Sequence, residues 1–286
     1  MKIAKQEFHQ WMPSGLTFRR FDFFLRWLAV FLLLPTAMSR GQSVDLSGIA
    51  HAAFRVSDVA RTSLFYQKLG FVQAFAFSKD GKISQAFIKI NDRQFIELYP
   101  ETAKEPEVGF MHLCFEGADL NQLNAEYRQR GLNPIGVLKA HAGNLLFTMV
   151  GPEHQNIEYT EYMPGSLHSN DRSKHLGKHR LSKHLLAVDL AMQDPDAAES
   201  FYIDKLSFRP LSGDDKSYLL LPGTSGEAVE FKSMEDKTDP DIVLQVSNIK
   251  RTAKALRSKG IAVQIEKNGL YVHDPDGIPI EFSLGR

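Results

Sequence analysis

The feature that most constrains the fold of this chain is a unit that occurs four times: a strand, a helix and three further strands. The first unit runs from Ile49 to about Tyr99, with a helix pattern in VARTSLFYQKLGF and two later strands in KISQAFIKI and RQFIELYP. Apolar residues that alternate along a short segment predict strands, and the longer amphipathic segment predicts the helix. Repeats of this length indicate that neighbouring units pair to bury a shared core.

Three more units follow along the chain. They begin at GFMHLCFEGADL, LLAVDLAMQDPD and DIVLQVSNIKR, and each is followed by short strand segments. Every predicted helix starts after a residue whose side chain caps helix N-termini, namely Asp58, Asp119, Asp194 and Asn248. Gly131 suits the end of the second helix, and the pairs Phe65-Tyr66 and Phe201-Tyr202 are predicted to pack against a sheet. The pattern predicts an α+β protein built of four βαβββ modules.

The N-terminal segment differs from the rest of the chain. Arg19, Arg20 and Arg26 precede an apolar run from Trp27 to Leu34, and small residues follow that run. This order of basic, apolar and small residues is typical of a secretory signal, and the run is shorter than a spanning helix needs. We therefore expect export to the periplasm or the outside of the cell, with the segment either cleaved or retained as a membrane anchor. A misassigned gene start or a buried helix is the alternative.

The repeat and the N-terminal segment together predict four regions. Residues 1–42 are the signal peptide or membrane anchor, 43–163 a first paired-unit domain, 164–181 a linker, and 182–286 a second paired-unit domain. The stretch around the linker, MPGSLHSNDRSKHLGKHRLSKH, is polar and contains four histidines. Such a stretch more often forms a solvated connector than a metal site. We expect either a monomer whose two domains form an internal pseudo-dimer, or a homodimer.

The composition excludes several classes of partner. Lysine and arginine together number 34, as do aspartate and glutamate, so the formal net charge is zero. A neutral chain argues against a nucleic-acid partner and against binding to membranes through a polybasic surface. The single cysteine, Cys114, excludes a disulfide within the chain and a cluster of thiolate metal ligands. Ten histidines remain as candidate ligands.

Four βαβββ units with histidine or acidic residues on their first and last strands resemble the vicinal oxygen chelate superfamily. That superfamily includes glyoxalase I, type I extradiol dioxygenases, fosfomycin-resistance proteins and bleomycin-binding proteins. The phrases that carry the resemblance are IAHAAFRVSDVARTSLFYQKLGF, FIELYP, FMHLCFEGADL, NIEYTEYMPGSLH and LYVHDPDGIPIEF. The resemblance covers the chain from about Ile49 to its end, and implies two glyoxalase-like domains, each an open, cupped sheet. One such scaffold carries several chemistries, so the resemblance indicates the fold more strongly than the reaction.

In this family each unit offers one metal ligand from its first strand and one from its last. Applied to this chain, the resemblance implies a metal site made by His51, Glu97, His112 and Glu158, with the same spacing between the two ligands of each unit. Two imidazoles and two carboxylates suit a divalent nickel, zinc, manganese, cobalt or iron ion and leave positions for water or substrate. The alternative is four buried polar groups that hydrogen-bond with one another. Two buried carboxylates without a cation would be costly, which favours the metal.

Arg55 is the candidate substrate-binding residue. It lies four residues after His51 and therefore on the same face of a strand. In glyoxalase I an arginine at this offset holds a carboxylate of the glutathione adduct, so the resemblance implies that Arg55 binds an anionic substrate group. Those enzymes also use an asparagine where this chain has Glu101, which argues against glutathione recognition. An arginine at the rim with its charge in water is the alternative.

The second domain departs from the ligand pattern. Counting from the helix caps places its first-strand ligand positions at Ala187 and Asp241, while Glu230 and Glu281 keep the last-strand positions. His184 precedes Ala187 by an odd number of residues, which places it on the opposite face of a regular strand. We therefore expect no catalytic metal in the second domain. The usual layout of extradiol dioxygenases, with iron held by two histidines and a glutamate in the second domain, is not expected either.

Three functions follow from the resemblance. The first is an exported metal-dependent lyase or isomerase, in which the ion chelates two neighbouring oxygens of a small substrate and a ligand glutamate moves a proton. Glu158 is the preferred catalytic base in that reaction and Glu97 is the second choice. The second function is an iron-dependent extradiol-type dioxygenase with His51, His112 and Glu158 as a facial triad. The third is a small-molecule binding protein without turnover, which the complete ligand set disfavours.

Overall fold

The structure is a computed structural model of the chain, and it describes residues 45–211, 218–223, 226–235, 242–265 and 269–285. The predicted signal peptide or anchor, residues 1–42, lies outside the described residues. Within the part of the chain that is described, no helix is long and apolar enough to cross a bilayer.

The first half of the described chain folds into a sheet of eight strands. They are β1 (Leu46–Val56), β2 (Val72–Lys79), β3 (Lys82–Lys89), β4 (Phe95–Pro100), β5 (Gly109–Gly117), β6 (Leu138–Lys139), β7 (Leu145–Val150) and β8 (Asn156–Glu161). The order across the sheet is β2-β3-β4-β1-β5-β8-β7-β6. Two four-strand units therefore meet where β1 and β5 pair in antiparallel orientation. Within each unit the first strand is parallel to the last, β1 to β4 and β5 to β8.

The second half repeats this arrangement in a second eight-stranded sheet. Its strands are β9 (Leu185–Met192), β10 (Arg209–Pro210), β11 (Tyr218–Leu220), β12 (Ala228–Ser233), β13 (Ile242–Gln245), β14 (Gln264–Ile265), β15 (Gly269–His273) and β16 (Pro279–Ser283). Their order is β10-β11-β12-β9-β13-β16-β15-β14, and β9 pairs with β13 at the centre. The predicted α+β fold of four βαβββ modules paired into two glyoxalase-like domains is confirmed.

The helices that cross between strands begin where the sequence predicts. The described helices are α1 (Val59–Lys68), α2 (Leu120–Gln129), α3 (Leu167–Asn170), α4 (Pro195–Leu206) and α5 (Ile249–Ser258). Each predicted cap residue accepts a hydrogen bond from the backbone N–H three residues later, which satisfies a donor that the helix leaves free. A parallel strand pair needs such a crossover, and α1, α2, α4 and α5 provide it in the four units.

The core is continuous between the two sheets. One cluster of buried apolar side chains includes residues of all four units, and the rings of Phe115 and Phe208 meet across the domain boundary with centroids 5.4 Å apart. Tyr66 and Tyr202 from the predicted aromatic pairs are fully buried in this cluster. Burying a large apolar side chain stabilises a fold by roughly 1.5–3 kcal/mol, so this shared core binds the two domains strongly to each other.

Two buried polar side chains add specific contacts between the domains. Gln94 donates to the Leu185 carbonyl at 2.9 Å and accepts from the Leu185 N–H at 2.8 Å. The Glu227 carboxylate accepts the Ile49 N–H from the first sheet and contacts His184 Nε2 at 2.8 Å. These contacts join the first strand of each sheet, β1 through Ile49 and β9 through Leu185, to a side chain of the other domain.

Candidate metal centre

The four predicted ligands are positioned by matching strand pairings. Glu97 is opposite Ala53 in the β1–β4 pair, and Glu158 is opposite Cys114 in the β5–β8 pair. Each glutamate therefore faces the residue two positions after the histidine of its own unit. Since side chains two apart on a strand point to the same face, each histidine and glutamate share one face of the sheet. The equal spacing in the sequence is the consequence of this repeated register.

His51 is the centre of the cluster. Its Nε2 atom lies 3.1 Å from His112 Nε2, and its Nδ1 atom lies 3.2 Å from Glu97 Oε1. The latter contact lacks the alignment of a hydrogen bond, so His51 Nδ1 has no hydrogen-bond partner among the described residues. The ligand atoms of His51, Glu97 and His112 all lie within 4.8 Å of one another, and all three residues are buried.

Glu158 contacts the same histidine from the other side. Its Oε1 atom is 3.5 Å from His51 Nε2. It belongs to a second compact set, formed by His51, Cys114 and Glu158, whose ligand atoms also lie within 4.8 Å of one another. The structure thus brings all four predicted ligands to one place, but as two overlapping sets that share His51. Cys114 is an additional candidate ligand that the sequence analysis did not identify.

Burial shifts the pKa of each of these groups in the direction that favours the neutral form. The pKa of Glu97 is raised to about 8, by burial and then by the nearby Glu158 carboxylate. Burial likewise raises the pKa of Glu158 to about 7 and lowers that of His112 to about 4. The pKa of His51 is lowered by burial and by His112. Among the described residues neither glutamate has a lysine or arginine partner. A divalent cation would supply the missing positive charge, so the donor set fits a metal ion.

Two side chains orient Glu97 from behind. Gln85 Nε2 donates to Glu97 Oε2 at 2.8 Å, and the Tyr99 hydroxyl donates to the same oxygen at 2.9 Å. These bonds occupy Oε2 and leave Oε1 facing His51. Groups that hold a ligand carboxylate in this way fix its orientation and raise metal affinity.

A cavity of about 330 Å³ opens onto the cluster. His51, Glu97 and Glu158 line one part of it, and Phe77 and Phe87 line another. This volume lies at the lower end of the usual range for small-molecule sites. The cavity gives a small ligand access to three of the four predicted metal ligands, next to two phenylalanine rings.

His168 from α3 also lines this cavity, although the sequence analysis assigned it to the linker. The expectation of a solvated connector is wrong for Ser166, His168 and Asp171, which are all buried. The His168 ring stacks on Tyr162 with centroids 4.6 Å apart, and burial lowers its pKa to about 4. Asp171 forms an ion pair with the fully buried Lys89 at 2.8 Å, which ties α3 to the first sheet. Sequence periodicity carries no signal for this packing because the contacts are tertiary.

Arg55 is at the rim. Its guanidinium pairs with Glu105 at 3.1 Å and donates to the Glu107 carbonyl at 3.4 Å. The residues that line the cavity do not include Arg55 within the described part of the chain. A role of Arg55 in binding substrate stays a prediction.

Among the described residues, the equivalent face of the second sheet carries no histidine pair. The register of β9 with β12 and β13 places Ala187 where the first sheet has His51, as the helix-cap count predicts. Asp189 and Glu230 instead share a lysine, because Lys232 Nζ lies 3.1 Å from a carboxylate oxygen of each. Asp241 lies outside the described residues. An ammonium group thus occupies a position between acidic side chains in the second domain.

Fold and cluster together define a protein with two glyoxalase-like domains and a candidate metal centre in the first. Residues 48–159 match the family model described as the Glyoxalase/Bleomycin resistance protein/Dioxygenase superfamily. The resemblance inferred from the sequence is therefore confirmed. A search of curated proteins finds no match to the chain.

Several solved structures share the two-domain fold. The 2,3-dioxygenase LapB from Pseudomonas sp. KL28 aligns with a TM-score of 0.64 at 15% identity, covering 85% of this chain and 93% of its own. The Mn(II)-bound glyoxalase from Novosphingobium aromaticivorans aligns with a TM-score of 0.63 at 15% identity, covering 85% and 83%. Homoprotocatechuate 2,3-dioxygenase from Brevibacterium fuscum, in complex with 3,4-dihydroxyphenylacetate, aligns with a TM-score of 0.59 at 15% identity, covering 84% and 81%. At these identities the likeness concerns the fold.

Proposed function

We propose that the first domain is a metal-dependent enzyme of the lyase or isomerase type, acting on a small molecule with two neighbouring oxygens. The observation that carries this proposal is the buried set of His51, Glu97 and His112, whose ligand atoms lie within 4.8 Å of one another beside a cavity. A divalent ion held there would polarise the two substrate oxygens and stabilise negative charge that develops on them. The ion is nickel, zinc, manganese, cobalt or iron.

The residues of the chain have distinct roles in this reaction. His51 and His112 would hold the ion through ring nitrogens, and Glu97 would hold it through Oε1, since Gln85 and Tyr99 already donate to Oε2. Glu158 would be the fourth ligand, as the sequence predicts; its Oε1 atom lies 3.5 Å from His51 Nε2, and the residue lines the cavity. Glu158 would remove a proton from the carbon that carries one of the two substrate oxygens and return it to the neighbouring carbon that carries the other. Phe77 and Phe87 line the same cavity and give it an apolar side.

Localisation and partners are part of the same proposal. The N-terminal order of basic, apolar and small residues supports export to the periplasm or the outside of the cell, with the segment cleaved or kept as a membrane anchor. The partner is a small-molecule substrate, and the zero net charge argues against a nucleic-acid partner. Cell fractionation with N-terminal sequencing of the mature protein tests this part. Recovery in the cytoplasm with residues 1–42 intact would contradict it.

A second candidate function has its own observation. Two histidines and one carboxylate are the ligand set of iron-dependent oxygenases, and His51, His112 and Glu97 form such a set here. The sequence analysis expected Glu158 as the carboxylate of this triad, whereas the compact set contains Glu97. An iron-loaded protein that consumes oxygen with catechol would favour the dioxygenase over the lyase or isomerase.

The proposed function is tested by following proton exchange. The full chain is loaded separately with each of the five metals and incubated in deuterium oxide with small α-hydroxyketones and α-hydroxyaldehydes. We expect loss of the proton next to the chelated oxygens, measured by NMR, with at least one metal. Glu158→Gln is expected to slow this exchange by about 10²–10⁴-fold, as for removal of a general base.

The control for that variant is Glu153→Gln, which changes a carboxylate outside the cavity lining and is expected to leave the exchange unchanged. Exchange that continues at the wild-type rate in Glu158→Gln would exclude the assigned role of Glu158. Metal binding with neither proton exchange nor oxygen uptake would leave the non-catalytic binding protein as the function.

A further inference from the structure

Cys114 is placed among metal ligands by the sheet itself. It follows His112 by two residues on β5, so the two side chains lie on the same face. Its neighbours across the sheet are His51 in the β1–β5 pair and Glu158 in the β5–β8 pair. It is fully buried, and its Sγ atom lies within 4.8 Å of the ligand atoms of both neighbours.

Cys114 packs in a small apolar cluster with Ala50 and Phe95, and it also borders the polar cluster. A buried free cysteine usually behaves as a small apolar side chain. Here the thiol donates a long hydrogen bond to the Phe115 carbonyl at 3.8 Å, and its sulfur also lies within 4.8 Å of ligand atoms of His51 and Glu158. His51, which is only 4% exposed, has Nε2 3.5 Å from Glu158 Oε1 in this set, while its Nδ1 faces Glu97. A thiol, an imidazole and a carboxylate that converge in this way form a set of donors for a borderline or soft divalent cation.

We propose that Cys114 Sγ is a ligand of the metal ion in the first domain, together with His51 and Glu158. The inference rests on the proposed function, because it concerns the same ion. On binding, the S–H bond breaks, the proton goes to solvent, and the thiolate forms the bond to the metal. A thiolate ligand favours zinc, cobalt or nickel over manganese or magnesium, which prefer oxygen donors. The ligand set therefore selects which ion occupies the site.

The test uses Co²⁺ as a coloured probe of the full chain. A thiolate ligand gives cobalt an intense sulfur-to-metal charge-transfer band in the near ultraviolet, which nitrogen and oxygen ligands do not give. We expect this band in the wild type and its loss in both Cys114→Ala and Cys114→Ser, with cobalt still bound through the remaining ligands. Circular dichroism shows which of the two variants is folded, and one folded variant is enough for the comparison. His179→Ala, an exposed histidine outside the cavity, is the control and is expected to keep the band.

A competition between Co²⁺ and Mn²⁺ provides a second measurement. The wild type is expected to prefer cobalt, and the preference is expected to fall about tenfold or more in the folded Cys114 variant. Two results would overturn the role of Cys114 and leave the proposed function intact. One is Co²⁺ bound to the wild type without the charge-transfer band, and the other is a preference for Co²⁺ over Mn²⁺ that is unchanged in the variant. A wild type that binds neither ion would overturn the proposed function itself, and this inference with it.

Discussion

The Nε2 atoms of His51 and His112 lie 3.1 Å apart across the junction of β1 and β5. In the antiparallel register His51 is opposite Cys114, and His112 is opposite Ala53, so the two histidines are related by the pseudo-two-fold symmetry of the paired units. A cluster built on that symmetry receives one histidine and one glutamate from each unit. The site therefore requires both units and depends on the pairing between them.

Removing the Tyr99 hydroxyl is expected to weaken metal binding without unfolding the protein. Tyr99→Phe deletes the hydrogen bond to Glu97 Oε2 while keeping the ring. Groups that orient a metal ligand typically change affinity by about 10–100-fold, and we expect a loss in this range, measured by competition with a chromogenic chelator. Tyr202→Phe, on α4 of the second domain, is the matched control and is expected to keep the wild-type affinity. Equal affinities in wild type and Tyr99→Phe would show that the Tyr99 hydroxyl does not orient Glu97 for metal binding.

The contact between the domains is expected to depend on Gln94. Gln94→Ala removes two buried hydrogen bonds and leaves the Leu185 N–H and carbonyl without these partners. Each unsatisfied buried group costs about 1–3 kcal/mol, so we expect the free energy of unfolding to fall by roughly 2–4 kcal/mol in urea denaturation. Gln129→Ala, at an exposed helical position, is expected to change it by less than about 0.5 kcal/mol. A Gln94 variant as stable as that control would mean that the shared apolar core alone holds the domains.

The ion pair of His184 with Glu227 is expected to make stability depend on pH. The hydrogen bond with Glu227 raises the pKa of His184, while burial and the nearby Arg93 charge oppose the shift. A raised folded-state pKa stabilises the protein below the unfolded value of about 6.5, and this contribution is lost as the pH rises through the folded-state value. The difference in unfolding free energy between wild type and His184→Gln is therefore expected to be larger at pH 5.5 than at pH 9. A difference that is constant, or that grows with pH, would contradict this assignment.

Lys232 is expected to substitute for a metal ion in the second domain. Its ammonium pairs with Asp189 and Glu230, and burial raises the pKa of Asp189 against the lysine's influence. Lys232→Met leaves two carboxylates facing each other, and we expect a loss of roughly 2–4 kcal/mol at pH 8. That range is somewhat below the effect of breaking a fully buried pair, because the ammonium is partly exposed.

The defect of Lys232→Met is expected to shrink at pH 5. With its folded-state pKa raised, Asp189 takes up a proton on acidification while the unfolded carboxyl, with a pKa of about 3.9, remains charged. Lys254→Met, an exposed lysine on α5, is the control and is expected to be near neutral at both pH values. A Lys232 defect that is equally large at pH 5 and pH 8 would indicate lost packing rather than unpaired charge.

The sequence predicts those parts of the structure that follow from local periodicity. The four helix caps and the strand register of His51, Glu97, His112 and Glu158 follow from period-2 and helical patterns that each unit repeats. The same strand period also places Cys114 on the face of His112, so a count by two along β5 would have identified it.

The position of His168 had no such signal. It reaches the cavity because Lys89 pairs with Asp171 and because the Leu167 N–H donates to the Ala142 carbonyl at 2.8 Å. These contacts join segments far apart in the chain, and composition had favoured a solvated connector there. The buried position of His168 could therefore not be predicted from the polar, glycine-containing composition of its segment, because it depends on the buried ion pair of Asp171 with Lys89.

The most direct test of the account is elemental analysis of the purified full chain beside His112→Ala, with His179→Ala as the control. The account predicts about one divalent ion per chain in the wild type and in the control, and loss of most of it in His112→Ala, because one ligand of the compact set is gone. A His112→Ala protein that is folded and holds as much metal as the wild type would contradict the metal centre.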